Sequence, residues 1–516
     1  MTGKTIETSD TNLTIMDTTL RDGEQTSGVS FSDGEKLNVA KILLEDVRVD
    51  RIEIASARVS EGEFKGTKRV IQWAAETGHL EKIEILGFVD DKISLQWIAD
   101  AGGKVLNLLC KGSLKHVSEQ LRKTPEQHLS DIKKVIINAA EMGIRVNIYL
   151  EDWSNGMRNS KDYVHFMVSN LKNEKVDRIM LPDTLGILNP DETYNFCREM
   201  LETYPSVKFD FHAHNDYDLA IANVFHAIKA GIRCVHTTVN GLGERAGNAP
   251  LSSVVATIKD HLKLQTNVNE SQLNKISKLV ESFSGIRIPA NKPLIGDFVF
   301  TQCSGIHADG DNKNNLYFNE LLPERFGRTR QYALGKTSGK ANIKKNLEDL
   351  GIVLDAEALK KVTERVIELG DKKETVTSDD LPYIVSDVLS NDIVEQKVRV
   401  INYSVMHTMG LRPVANVKLE INGEQYEEFC DGDGQYNAFV KALRKIYSRL
   451  GRTFPKLADY VVTIPPGGKS DALVETVITW ESTREFKTKG LDSDQNAAAI
   501  KATIRMLNII ENELNL

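Results

Sequence analysis

No uninterrupted apolar stretch in this sequence is long enough to cross a bilayer, so no membrane partner is expected. The first residues, "MTGKTIETSDTNLTIMDTT", lack the apolar segment of a secretory signal, and a cytoplasmic protein is expected. Cysteine is sparse. Cys110, Cys197, Cys234, Cys303 and Cys430 are scattered, odd in number and never spaced CxxC, which predicts reduced and mostly buried thiols. There is no long basic run, and 65 Lys and Arg stand against 73 Asp and Glu, a formal charge of −8. Nothing here would track a phosphate backbone, so no nucleic acid partner is expected. Nor does a GxGxxG follow the first strand-like run, which counts against an open dinucleotide-binding sheet.

What the chain does have is length and alternation. Its 516 residues exceed one ordinary core and predict two or three domains, and 41% apolar with 27% charged residues describes a globular chain. Up to about position 260, eight short apolar or β-branched runs alternate with helical patterns. The runs are "LTIMDT" (13–18), "RIEIAS" (51–56), "IEILGF" (83–88), "KVLNLL" (104–109), "RVNIYL" (145–150), "VDRIML" (176–181), "VKFDFH" (207–212) and "RCVHTT" (233–238). "TP" at 124–125 and "NP" at 189–190 offer an N-cap followed by proline at the first helical position. Eight strand–helix units predict an α/β fold, a parallel (β/α)8 TIM barrel. The barrel is expected over 1–285. A Gly-, Pro- and Asn-rich connecting arm with a helical subdomain follows over 286–390, and an α+β domain over 391–516. That last part reads strand–strand–strand–helix twice, a duplicated unit that buries little alone, so pairing into a homodimer is expected.

In a parallel barrel the strand C-termini meet at one face, where active sites collect. Those ends carry "DTTLRDGEQ" (17–25), "LGF", "LLCKG", "YLEDW", "LPDTLG", "FHAHND" and "TTVNGLGERAGN" (237–248). Residues two apart on a strand share a face, so His212 and His214 can bind one ion together. With a carboxylate such as Asp22 and an amide oxygen such as Asn248 they make a mixed nitrogen and oxygen site that suits a divalent metal cation, Zn, Mn or Mg, acting as a Lewis acid. A lone histidine at a strand end is more often structural than a ligand. Three polar motifs at three strand ends of one barrel shift the balance to a site.

"MDTTLRDGEQTSG", "FHAHNDYDLAIAN" and "VNGLGERAGNAPL", in that order, resemble the signatures of the 2-isopropylmalate, homocitrate and citramalate synthases. The resemblance continues through "GIHADG" (305–310) and "YALGKTSGKANI" (332–343) to "PPGGKSDALVETVITW". It implies a Claisen condensation, in which acetyl-CoA loses a methyl proton and the enolate attacks the ketone of a small 2-oxo acid. By similarity, Asp22, His212, His214 and Asn248 would be the metal ligands. Arg21 would donate to the developing alkoxide and Thr184 would bind the substrate carboxylate. The base and acid would come from Glu151, His307, Asp309 and Tyr317, without a division of roles among them.

Substrate choice depends on the pocket around the side group of the 2-oxo acid. Leu86, Leu109 and Tyr149, at strand ends, are large and resemble the wall of a pyruvate pocket in citramalate synthases. Pyruvate is therefore expected, with 2-oxoisovalerate the alternative. The C-terminal domain resembles the family's feedback module. Isoleucine is the expected inhibitor if the product is citramalate and leucine if it is isopropylmalate, and Tyr436, Leu457, Tyr460 and Val474 are the candidate pocket. Rival readings are a superfamily lyase, which generally lacks the duplicated domain, and a metal- and amino-acid-binding sensor without turnover.

Overall fold

The structure is a computed structural model that describes residues 12–303, 310, 316–371, 376, 380–389, 397–463 and 474–513. Eight parallel strands form a closed barrel in sequence order: β1 (Thr14–Asp17), β2 (Arg51–Ser56), β3 (Ile83–Phe88), β4 (Val105–Lys111), β5 (Arg145–Glu151), β6 (Ile179–Asp183), β7 (Phe209–Ala213) and β8 (Cys234–Thr237). Each observed strand overlaps one of the eight sequence runs, with β4, β5, β6 and β7 extending one or two residues past the expected ends. Closure comes from β1, which pairs with β2 on one side and with β8 on the other, Met16 lying opposite both Arg51 and His236. Every residue of β6 and β7 is buried, as expected of strands covered on both faces.

The helices between them begin where the sequence places their caps. Thr124 and Asn189 each form a capping box, with Gln127 and Glu192 respectively, and each is followed by proline at the first helical position. Between β2 and β3 the register shifts at Glu53/Ala55, an irregularity of the kind that re-aims a side chain. Glu53 is a residue the site uses.

The chain divides into two compact units, one ending at Thr301 and resuming over Phe318–Gln331, the other comprising Gln302–Tyr317 and Tyr332–Leu516. The segment 318–331 lies inside the arm of the sequence reading, yet it packs with the barrel. Arg325 bridges Asp260 at 2.7 Å and Glu270 at 2.9 Å, and the buried Phe326 stacks on Phe300 with ring centroids 6.0 Å apart. Local sequence has no periodicity to announce such long-range anchors.

In the second unit, helices Lys340–Asp349, Ala356–Asp371 and Leu381–Leu389 share a small core around Ile343, Leu347, Val362 and Val366. Two antiparallel three-stranded sheets follow, Val398–Met406 with Val414–Ile421 and Glu424–Asp431, then Lys456–Thr463 with Val474–Glu481 and Glu485–Asp492. Each is completed by a helix, Gln435–Arg449 and Gln495–Glu513, and one apolar cluster joins both halves. The duplication seen in sequence is therefore a single packed unit. Cys110, Cys197, Cys234 and Cys430 are buried free thiols and Cys303 is exposed. Among the described residues no helix is long and apolar enough to cross a membrane.

Candidate active site

The loop after β1 is wound tightly. The carbonyl of Thr18 accepts from the backbone N–H of Arg21, Asp22 and Gly23, and the Thr19 hydroxyl accepts from Val239 N at 2.8 Å, joining the loops after the neighbouring strands β1 and β8. Arg21 and Asp22 are thereby fixed beside β8. Asp22 Oδ2 lies 3.2 Å from His212 Nε2 and 3.9 Å from His214 Nε2, the two imidazoles coming from β7 and the residue just after it. Ligand atoms of these three buried side chains lie within 4.8 Å of one another, close enough to hold one metal ion. Asn248 reaches the same place because it forms an isolated antiparallel bridge with His214. Its Nδ2 donates to Leu242 O at 3.3 Å.

The donor set fits a cation. Asp22 Oδ1 and Asn248 Oδ1 are buried and have no hydrogen-bond partner among the described residues. Such orphaned acceptors are costly unless something positive meets them. Burial lowers the proton affinity of both imidazoles, that of His214 to about 4, so each presents a lone pair at neutral pH. Burial would raise the Asp22 carboxyl, but Arg21 and the two histidines hold it well below the usual carboxylate range. The glycines of "NGLGERAGN" make the loop possible. Gly247 sits at φ 85°, and a Cβ there would meet Gly241 O at 2.0 Å.

Arg21 is braced from below. Its Nε donates to Glu53, whose other oxygen accepts from Asn107 Nδ2 at 2.7 Å, and Asn147 Nδ2 donates to Asn107 Oδ1 at 2.8 Å. Burial works against the guanidinium charge, but Glu53 and Asp22 more than offset it and keep Arg21 protonated. The guanidinium carbon lies 5.9 Å from the centroid of the Tyr149 ring. Leu86 and Tyr149 belong to one buried apolar cluster with Met16, Met180 and Cys234, and Leu109 packs against it, so the three expected wall residues do converge.

Thr184 accepts from Asp152 N at 2.9 Å and is half-buried, which leaves its own hydroxyl hydrogen to be donated. Glu151, at the end of β5, pairs with Lys111 at the end of β4. Of the remaining candidates, His307 and Asp309 lie outside the described residues, and Tyr317 is exposed in the other unit. Tyr436, Leu457 and Tyr460 line one open cavity of about 420 Å³, with the first residues of both long helices, Gln435 and Gln495. The two tyrosine rings are 5.4 Å apart, and Tyr436 Oη lies 2.7 Å from Thr503 Oγ1. Val474 is buried in its strand and does not line this cavity.

Glu53, Asn107, Asn147, Asp210 and His236 were not singled out from sequence, although a signal was present. Each is a polar residue in the middle of a strand of a closed parallel barrel, where uniform apolarity is the norm.

Residues 12–280 match the family model described as HMGL-like, 294–374 that of the homocitrate synthase post-HMGL domain-like family, and 375–511 that of the LeuA allosteric (dimerisation) domain. The (R)-citramalate synthase CimA of Methanocaldococcus jannaschii is 34% identical over 504 residues, covering 96% of this chain and 99% of that protein. The chain belongs to the isopropylmalate and citramalate synthase family. The 2-isopropylmalate synthase of the same organism is also 34% identical, over 505 residues, covering 96% of this chain and 94% of that protein. Members of this synthase family are enzymes, and so is this chain. Overall identity to these two relatives does not separate the two substrates.

Proposed function

We propose that this enzyme condenses acetyl-CoA with pyruvate to give (R)-citramalate and CoA. The observation that carries the reading is the meeting of Asp22, His212, His214 and Arg21 beside Tyr149, whose ring contacts both His212 and Arg21 and shares an apolar cluster with Leu86 and Leu109. A divalent cation held by Asp22, His212, His214 and Asn248 would supply Lewis acidity to a ketone. Arg21, with Nε committed to Glu53 and Nη1 3.6 Å from Asp22 Oδ2, beyond hydrogen-bond length, has terminal nitrogens to donate to the oxygen on which negative charge grows as the carbon–carbon bond forms. Its rigidity means that little reorganisation is needed at that moment. Thr184 donates its hydroxyl hydrogen to the substrate carboxylate, its acceptor side being occupied by Asp152 N–H. The thioester methyl proton passes to a base drawn from Glu151, His307, Asp309 and Tyr317.

The cluster favours pyruvate because bulky side chains fill the space a longer side group would need. One methylene in an apolar pocket discriminates by only about 1–3 kcal/mol, so exclusion by walls matters more than attraction. The second reading is 2-isopropylmalate synthase acting on 2-oxoisovalerate, which the 34% identity to such an enzyme supports as much as it supports the first. We assign catalysis to 1–285, the arm to 286–390 and regulation to 391–516, with dimer formation through the last. The cavity at Tyr436, Leu457 and Tyr460 would take the feedback amino acid, isoleucine for a citramalate producer and leucine for an isopropylmalate producer.

The experiment is CoA thiol release from acetyl-CoA with pyruvate, 2-oxobutyrate and 2-oxoisovalerate at saturating divalent cation. The proposal expects the highest kcat/KM for pyruvate. A preference for 2-oxoisovalerate would install the second reading, and no release with any acid would remove both.

A further inference from the structure

Asp210 on β7, with Cys234 and His236 on β8, forms a second fully buried group whose ligand atoms lie within 4.8 Å of one another. The cation these groups surround is already part of the fold. Arg51 Nη2 lies 2.5 Å from Asp210 Oδ2 and 2.9 Å from Cys234 Sγ, and its Nη1 pairs with Glu84. Arg178 Nη1 adds a contact of 3.0 Å to Asp210 Oδ1. A carboxylate flanked by two guanidinium groups is an ionised acceptor.

That fixes the direction of the next two hydrogen bonds. His236 Nε2 lies 3.3 Å from Asp210 Oδ2, so it carries the ring hydrogen and donates it. Nδ1 is left with a lone pair. Tyr149 Oη, 3.0 Å from Nδ1, must then be the donor. The phenol hydrogen is committed to the barrel interior, and the ring is tied at its far end. The same ring meets His212 edge-on with centroids 6.1 Å apart, lies 5.9 Å from the Arg21 guanidinium carbon and packs with Leu86.

We propose that His236, oriented by Asp210, is a positioning residue that sets substrate choice by holding the Tyr149 ring and its hydroxyl hydrogen in one arrangement. This rests on the reading that Leu86, Leu109 and Tyr149 bound the side group of the 2-oxo acid. A tethered ring makes the cluster a fixed wall instead of one that swings aside for an ethyl or isopropyl group. A phenol whose hydrogen is already donated has none to give to a polar side group, so a 2-oxo acid with a second carboxylate meets only an oxygen lone pair.

The test is the ratio of kcat/KM for pyruvate to that for 2-oxobutyrate, at saturating divalent cation. It is measured in His236→Ala, His236→Asn, Tyr149→Phe and the double variant Tyr149→Phe/His236→Ala. His236→Ala is expected to change the ratio at least about fivefold towards the longer acid. His236→Asn, whose amide oxygen keeps an acceptor near the Nδ1 position, is expected to recover part of the loss. On the Tyr149→Phe background, His236→Ala should change the ratio by less than about twofold, because the coupled group is already gone. A residue with a merely structural part would lower both kcat/KM values in proportion. An unchanged ratio in His236→Ala, or an equal change on both backgrounds, overturns the proposal. Should His236→Ala not fold, an unchanged ratio in both His236→Asn and Tyr149→Phe overturns it equally. If Leu86→Ala also leaves the ratio unmoved, the wall reading itself fails; if only the Leu86 variant moves it, the part given to His236 fails alone.

Discussion

Replacing Leu86 with alanine removes three carbons from a cluster made by Met16, Tyr149, Met180 and Cys234, with Leu109 packed against it. Leu86 is 5% exposed, so nearly all of that surface is lost to the core. At about 0.8 kcal/mol per buried methylene the transfer loss is about 2.4 kcal/mol, near the low end of the range of about 2–5 kcal/mol for leucine truncations. Two flexible methionines in the cluster can move into part of the space, which keeps the cost near that end. The same space is what an ethyl side group requires. With about 1–3 kcal/mol available per methylene, kcat/KM for 2-oxobutyrate relative to pyruvate should rise about tenfold or more. CoA thiol release with both acids measures the ratio, and thermal unfolding checks that the variant is folded. A folded variant with the wild-type ratio would show that Leu86 does not bound the side group, and the wall assignment would fall.

Arg21→Ala should lower kcat by about 10²–10³, the range for loss of one preorganised donor to an oxyanion. Activity near that of the wild type in the same assay would remove Arg21 from the mechanism. His128, on the helix Pro125–Glu141, is buried and accepts from Lys111 N at 3.1 Å, and burial lowers its pKa from 6.5 to about 4. The neutral form is thus the one the fold accommodates. Its contribution is intact above about pH 6.5 and is lost as pH falls through about 4, a loss on the order of 3 kcal/mol. His128→Gln keeps an acceptor but does not titrate, so the unfolding midpoint should fall less steeply between pH 6.5 and 4 than in the wild type. Identical slopes would mean that another group governs that window.

Periodicity and composition carried the architecture a long way. The eight strand runs, the capped starts at Thr124 and Asn189, and the duplicated C-terminal unit are local patterns, and local patterns report which face of an element is buried. The His212 and His214 pair was legible for the same reason, because a spacing of two on a strand is itself geometry. Barrel closure decided the rest. Residue 210 meets residue 51, residue 236 meets residue 149, and the Glu53, Asn107 and Asn147 chain crosses β2, β4 and β5, contacts set by register and a local irregularity at Glu53. In the same way, Phe318–Gln331 joins the barrel through Arg325 and Phe326, far from its partners in sequence. A one-dimensional pattern fixes the direction in which a side chain leaves its own strand; which charge it meets across a closed barrel depends on how eight strands slide past one another.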